Sequence, residues 1–581
     1  MCTLSFAVLS TVASQDSLRS LGVRDRLEPV STSSRFRNFA VPREPPELRV
    51  GPLVLTENGA IRGVTVDRAH VFYGVPYADP PLGAYRWKPP RPASPWRGEY
   101  QAQEPRACCM QRCGGPHSDP CPTQVTHTHM HINTHSLTHP HTHPHTHTLT
   151  QTQHVYTHTH NTHTHTHSML SHTRVRVPLR VSEDCLYLNI FTPRGVNFSA
   201  PRPRPLLPVL LWIHGGDFIA GSASKPLYDG RFISNSTRAL VVSVEYRLGA
   251  FGFLVSGRNP MLSATGNYGI LDQQAALLWV QKNIDRFSGD PSQVTLFGES
   301  AGAQSVGLHL VMPSSQPLFR RASLQSLPFN IPFKSRHEAL RLGKAFSREA
   351  NCSVSDIVCL LSLSPQDVLA AQMKTSAKVV NPFRFLEVFE TWGPPVSGVG
   401  CVAYVAAIFK QHALKILQRY LPLYRDPDRR GMLAQIVTDY IFLCPARRAA
   451  RALKESPVWM YVFDHVASDP LVWSGVTSCY RHVCHGAELP FLFGSAPVAG
   501  FTVTPEEELL TDHMLCYWGA FTRHGEPSPA PSPGPAPSCG AAPAWPRYDS
   551  RRLMMNLTTP SHAHTGRRDA VCDFWDKLGL Y

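Results

Sequence analysis

The stretch that most constrains this chain is "VTLFGESAGAQS", residues 294–305, in which Ser300 stands between Gly298 and Gly302. An apolar, strand-like run, "QVTLF" (293–297), comes just before it, and a helix-compatible run, "GAQSVGLHLVM", follows. A chain that passes from strand to helix in so few residues must turn sharply at the serine. Glycines two before and two after keep that turn free of side-chain clashes. The serine is then held in a strained conformation that pushes its hydroxyl into the open, as a nucleophile requires.

A second glycine-rich turn, His214-Gly215-Gly216-Asp217-Phe218, follows the buried run "PVLLWI" (208–213). Backbone N–H groups in such a loop can face a carbonyl oxygen under attack. With the N–H of Ala301 they form a candidate oxyanion hole, in which one lost donor costs about 3 kcal/mol of transition-state stabilisation. "LVVSVEY" (240–246) reads as another buried strand and "LDQQAALLWVQKNI" (271–284) as a helix. Alternation of this kind predicts an α/β fold, a mostly parallel central sheet covered by helices.

Taken together, these motifs resemble those of the type-B carboxylesterases, the family of cholinesterases and carboxylesterases with the α/β-hydrolase fold. "VFYGVPYADPPLGAYRWKPPRP" (71–92), "SEDCLYLNIFTPR" (182–194), "GNYGILDQQAALLWVQKNI" (266–284), "DPSQVTLFGESAG" (290–302) and "HGAELPFLFG" (485–494) follow its pattern in order. The resemblance covers residues 48–580 as one domain, after an N-terminal segment 1–47. It implies Ser300 as nucleophile, His485 as base, and Gly215, Gly216 and Ala301 as oxyanion-hole residues. The third glycine of the family's loop is replaced by Asp217, whose carboxylate would oppose a developing oxyanion unless turned away or paired. His482 is the nearest rival to His485 and reads as a surface neighbour. The resemblance also implies disulfides Cys109–Cys185, Cys352–Cys359 and Cys444–Cys572.

The triad acid is not found. The family order is serine, acid, histidine, with the acid in an acidic-glycine motif after a strand. Twelve acidic residues lie between Ser300 and His485, and none is followed by glycine. "FLEVFETWGPPVSG" runs directly into "VGCVAYVAAIFKQHALKILQRYLPLY", a helical region. A segment around residues 394–400 therefore reads as skipped, taking one sheet strand and the acid with it. Glu387 and Glu390 are the nearest substitutes, with nothing in their setting to recommend either.

Two further segments break the pattern. Residues 122–173 hold 16 of the 29 histidines, largely alternating with threonine. A metal-binding tract is one reading. Translated CA-repeat DNA is the stronger one, and a stretch so poor in apolar residues is expected to be disordered. "GEPSPAPSPGPAPSCGAAPAWP" (525–546) reads as an exposed, extended loop.

Charge and cysteines bound the partners and the compartment. The net charge of +14 comes from scattered basic residues with no zinc-finger or RNA-binding signature, so nucleic acid is not an expected partner. No apolar run is long enough to span a membrane. Fifteen cysteines and four Asn-x-Ser/Thr sites (Asn197, Asn235, Asn351, Asn556) point to the secretory pathway. The N-terminal "MCTLSFAVLSTVAS" reads as a candidate signal peptide without a basic start. The expected activity is hydrolysis of a small carboxylic ester through an acyl-Ser300 intermediate, with no cofactor and no metal. The alternative is a catalytically inactive, cholinesterase-like adhesion protein.

Overall fold

The apolar runs become neighbouring strands of one sheet in the computed structural model of the protein. It describes residues 5–11, 49–113, 123–127, 174–178, 181–198, 205–378, 405, 409–424, 430–528 and 542–580, apart from residues 332, 355, 454, 455, 474 and 567. In chain order, β1 is Ser5–Thr11, β2 Arg49–Leu55, β3 Ala60–Thr65 and β4 Ala69–Pro76. Next come β5 Tyr187–Pro193, β6 Leu207–Ile213, β7 Leu240–Val244 and β8 Gly289–Glu299. They are followed by β9 Arg321–Gln325, β10 Val458–Phe463, β11 Met554–Leu557 and β12 His562–His564. Their order across the sheet is β12-β11-β10-β1-β9-β8-β6-β7-β5-β4-β3-β2, with Glu99–Gln101 beside β3. Every pairing from β11 to β7 is parallel, and those outside it are antiparallel except for Glu99–Gln101, which pairs parallel with β3.

The central strands are apolar throughout because both faces are covered. Along β6, Val209, Leu211 and Ile213 join one core, while Leu210 and Trp212 join the other. β10 divides in the same way, with Val458, Met460 and Val462 against Trp459, Tyr461 and Phe463. Helix α1 (Tyr268–Asn283) buries Ala276, Leu277 and Val280 in the first core. Helix α2 (Pro505–His524) buries Leu510, Met514 and Trp518 in the second. Disulfides join Cys109 to Cys185, Cys352 to Cys359 and Cys444 to Cys572. The last pair holds the C-terminal helix Asp569–Leu578, which Arg568 reinforces by a two-pronged ion pair to buried Asp439 (2.7 and 2.6 Å).

The position expected to be vacant is occupied. Between β9 and β10 lies β1: residues 5–8 pair with 321–324, and residues 6–11 with 458–463. An interior gap would leave two rows of backbone N–H and C=O groups unpaired, and a short extended segment satisfies both. This strand lies within the candidate leader "MCTLSFAVLSTVAS".

Other expectations are modified. Thr123–His127 pairs antiparallel with Arg174–Pro178, because residues at the edges of the His-rich tract find backbone partners across it. Residues 128–173, like Glu387 and Glu390, lie outside the described residues. At the end of the proline-rich stretch, Trp545 is buried and donates to the Met460 carbonyl (3.1 Å), so this end is anchored rather than exposed. Asn556 must be withdrawn as a glycan acceptor. It is only 6 % exposed and sits within β11, where a bulky polar glycan has no room. Among the described residues, no helix is long and apolar enough to cross a membrane.

Candidate active site

Strand β8 ends at Glu299, and helix α3 (Ala301–Val311) begins one residue later. Ser300 alone makes the turn, at φ 58° and ψ −122°, a sparsely populated region for a residue with a side chain. The flanking glycines are there because nothing larger fits. A Cβ on Gly302 would lie 2.0 Å from the Ile213 carbonyl oxygen, and one on Gly298 would lie 2.6 Å from the Gly302 carbonyl carbon. The Ser300 N–H is anchored to the Gln325 carbonyl at 3.0 Å. Among the described residues, its hydroxyl has no hydrogen-bond partner.

The loop after β6 lies against this turn. A Cβ on Gly215 would come within 3.1 Å of the Ser300 Cβ and 3.0 Å of Glu299 Oε2, so only glycine allows the approach. The Gly216 carbonyl accepts from Ile219 and Ala220, closing the loop on itself. The N–H groups of Gly215 and Gly216 donate to no group among the described residues. Nor does that of Ala301, whose first-turn position leaves it without an intrahelical acceptor. Asp217 is exposed with φ 53°, so its carboxylate projects from the loop rather than being buried in it.

His485 follows β10 on a loop closed by a disulfide that the sequence reading missed, Cys479–Cys484. The signal was present as two cysteines five apart, directly before the histidine. The His485 side chain is 45 % exposed, and its Nε2 lies 2.9 Å from Oε1 of Glu299. The contact is a close charge pair not aligned as a hydrogen bond. Burial draws the imidazole pKa down, but the Glu299 carboxylate outweighs it, Glu488 and Asp217 add to the rise, and the net position is about 9. The Glu299 carboxylate thus favours the protonated form of the His485 ring. The nitrogen that a general base would offer to the serine faces a carboxylate instead. His482 is exposed at the surface.

Two acidic residues that the sequence reading left out thus belong to the site. Glu299 lies inside the serine pentapeptide itself. Glu488 is fully buried, and burial followed by the nearby Glu299 charge pushes its pKa up. Among the described residues, no group of three or more His, Cys, Asp or Glu side chains is arranged to hold a metal.

The model of the carboxylesterase family matches residues 50–424 and 405–575. The chain belongs to the carboxylesterase family. Other carboxylesterase-like proteins resemble it over most of their length. The crystal protein of Dictyostelium discoideum is 32% identical over 82% of this chain and 82% of its own. Acetylcholinesterase of Electrophorus electricus is 29% identical over 95% of this chain and 91% of its own, and that of Bungarus fasciatus 31% over 91% and 86%. Members of the carboxylesterase family are carboxylic ester hydrolases with an α/β-hydrolase fold, and the mostly parallel sheet here has that form.

Proposed function

We propose that the chain is a serine esterase whose resting form at neutral pH is held inactive by the Glu299–His485 pair. The observation that carries this reading is the strained Ser300 turn packed against three unengaged N–H groups. Ser300 Oγ attacks the ester carbonyl as His485, once neutral, takes its proton. The N–H groups of Gly215, Gly216 and Ala301 hold the oxyanion. Collapse expels the alcohol with the proton returned from His485, and water then repeats the sequence to release the acid.

For the base to act, the imidazolium must lose its proton and turn from Glu299 to Ser300. With a pKa of about 9, that requires alkaline pH. The test is hydrolysis of a simple aryl ester, together with fluorophosphonate labelling, from pH 6 to 10. Both should rise through about pH 9 and vanish in Ser300→Ala.

One observation favours the second reading, a non-catalytic binding protein: His485 Nε2 faces Glu299 and not the serine. Absence of labelling and hydrolysis at every pH, in a chain that is folded, would select it. Four described disulfides support an oxidising, secretory location. Asn197 and Asn351, both exposed, and Asn235, half-buried, are the glycan acceptors consistent with that location.

A further inference from the structure

Beside the glycine loop, two buried side chains face one another with one polar atom each that makes no hydrogen bond. Glu245 follows β7 and is only 2 % exposed. Its Oε1 accepts from the Ser222 hydroxyl (2.6 Å) and the Ala223 N–H (2.9 Å), while Oε2 has no hydrogen bond. At 3.9 Å from Oε2 lies Nε2 of His214, also buried and also without a hydrogen bond.

The proton inventory of His214 is fixed by its other nitrogen. Nδ1 lies 2.9 Å from the Gly215 carbonyl oxygen, which can only accept, so Nδ1 carries the hydrogen. Burial lowers the His214 pKa to about 3, so the ring is neutral and Nε2 bears a lone pair. The ring cannot swing away. It stacks on Tyr246 (4.5 Å between centroids), and a Cβ on Gly221 would lie 2.3 Å from Nδ1. The Tyr246 hydroxyl also donates to the His214 carbonyl at 2.8 Å. A charged Glu245 would therefore set two buried acceptors against each other, a costly arrangement. A proton on Oε2 removes the conflict and supplies the one hydrogen bond that both atoms lack.

We propose that Glu245 is a positioning residue for the oxyanion loop, held neutral so that its Oε2–H is shared with Nε2 of His214. That bond fixes the Nδ1–H tautomer, Nδ1–H grips the Gly215 carbonyl, and the planar peptide that follows holds the Gly216 N–H on the opposite side, as an oxyanion donor. The remaining 3.9 Å is within about an ångström of hydrogen-bond reach. Burial raises the Glu245 pKa to about 7, opposed by Ser222, Ala223 and the Lys225 ammonium. The other titratable groups around it are neutral. The Cys108 thiol, bonded to Ser222 at 3.4 Å, is pushed up to about 12, and burial raises the Tyr246 and Tyr77 phenols.

The proposal predicts a conflict that can be measured. His485 becomes a base only near pH 9, where Glu245 has already lost its proton. Glu245→Gln keeps a neutral donor for His214 at every pH, so at pH 9 it should hydrolyse an aryl ester several-fold faster than the parent chain. Glu245→Leu, with no donor at any pH, should hydrolyse it no faster than the parent chain at pH 9, which separates loss of the carboxylate charge from gain of a donor. This arm rests on the esterase reading, whereas two others need no turnover. Infrared difference spectra against Glu245→Gln should show a protonated carboxyl band at pH 6 that disappears by pH 8. Nitrogen NMR, referenced to His214→Asn, should show a neutral Nδ1–H ring in the parent and in Glu245→Gln. An ionised Glu245 at pH 6, or an Nε2–H tautomer, overturns the proposal whether or not the protein has activity. If the chain is active, so does a Glu245→Gln variant no faster than the parent at pH 9.

Discussion

Nε2 of His485 lies 2.9 Å from Oε1 of Glu299, the residue immediately before Ser300. In the proposed mechanism this carboxylate sequesters the base rather than orienting it from behind, so that one contact would couple protonation, stability and activity.

Its sign can be worked out. The folded pKa of His485, about 9, lies above the ordinary histidine value of about 6.5. Stability from the pair is therefore fully present below about pH 6.5 and is lost as pH rises through about 9. Melting temperature should fall across that window, and Glu299→Gln should flatten the fall. The same variant should shift the onset of labelling at Ser300 to lower pH. An unchanged onset would remove Glu299 from control of the base.

Ser300 carries a backbone conformation that costs of order 1 kcal/mol or more for a residue with a Cβ. Ser300→Gly should raise the unfolding free energy by about 1 kcal/mol while abolishing probe labelling. Ser300→Ala should abolish labelling with no such gain. A gain from both substitutions would mean that hydroxyl burial, rather than backbone strain, is being relieved.

The two disulfides on either side of the site should behave differently. Cys444–Cys572 closes a separation of 128 residues and Cys479–Cys484 one of 5. Chain-entropy arguments give about 5 kcal/mol for the first and about 2 kcal/mol for the second. Replacing Cys479 and Cys484 together by serine should cost about 2 kcal/mol, less than half the cost at Cys444–Cys572, yet release the loop that carries His485. The signature would be a lowered His485 pKa by NMR in a protein that still melts cooperatively.

Deleting residues 1–12 should strip the strand between β9 and β10. Soluble yield should collapse, and hydrogen exchange in residues 321–325 and 458–463 should accelerate by orders of magnitude in whatever remains folded. Unchanged protection there would show that the sheet closes without β1.

The parts of this molecule that were legible in the sequence are those fixed by local backbone demands. Gly298, Ser300 and Gly302 announce a turn, and the doubly apolar runs at 208–213 and 458–463 announce strands buried on both faces. What escaped depends on distant pairing. Ser5 meets Arg321, and nothing in "SFAVLST" distinguishes an interior strand from a leader. Glu299 lies inside the serine motif, but the family order of serine, acid, histidine gives a residue at that position no acid role. Glu245 reads as one more residue in an apolar run, and only its burial beside His214 gives it a role.

Strand β1 also sets an order of events. Residues 5–11 leave the ribosome long before residues 321–325 and 458–463, the two strands that flank them. Until the chain reaches Gln325 the emerging segment has neither neighbour, and until Phe463 it has at most one, with β9 an open parallel edge whenever the segment is not docked there. Pairings between residues so far apart in sequence form slowly, and an apolar strand waiting for them is available to other chains. Crowded synthesis therefore favours exchange of this strand between molecules, and the yield of native protein depends on what shields seven residues during translation of several hundred.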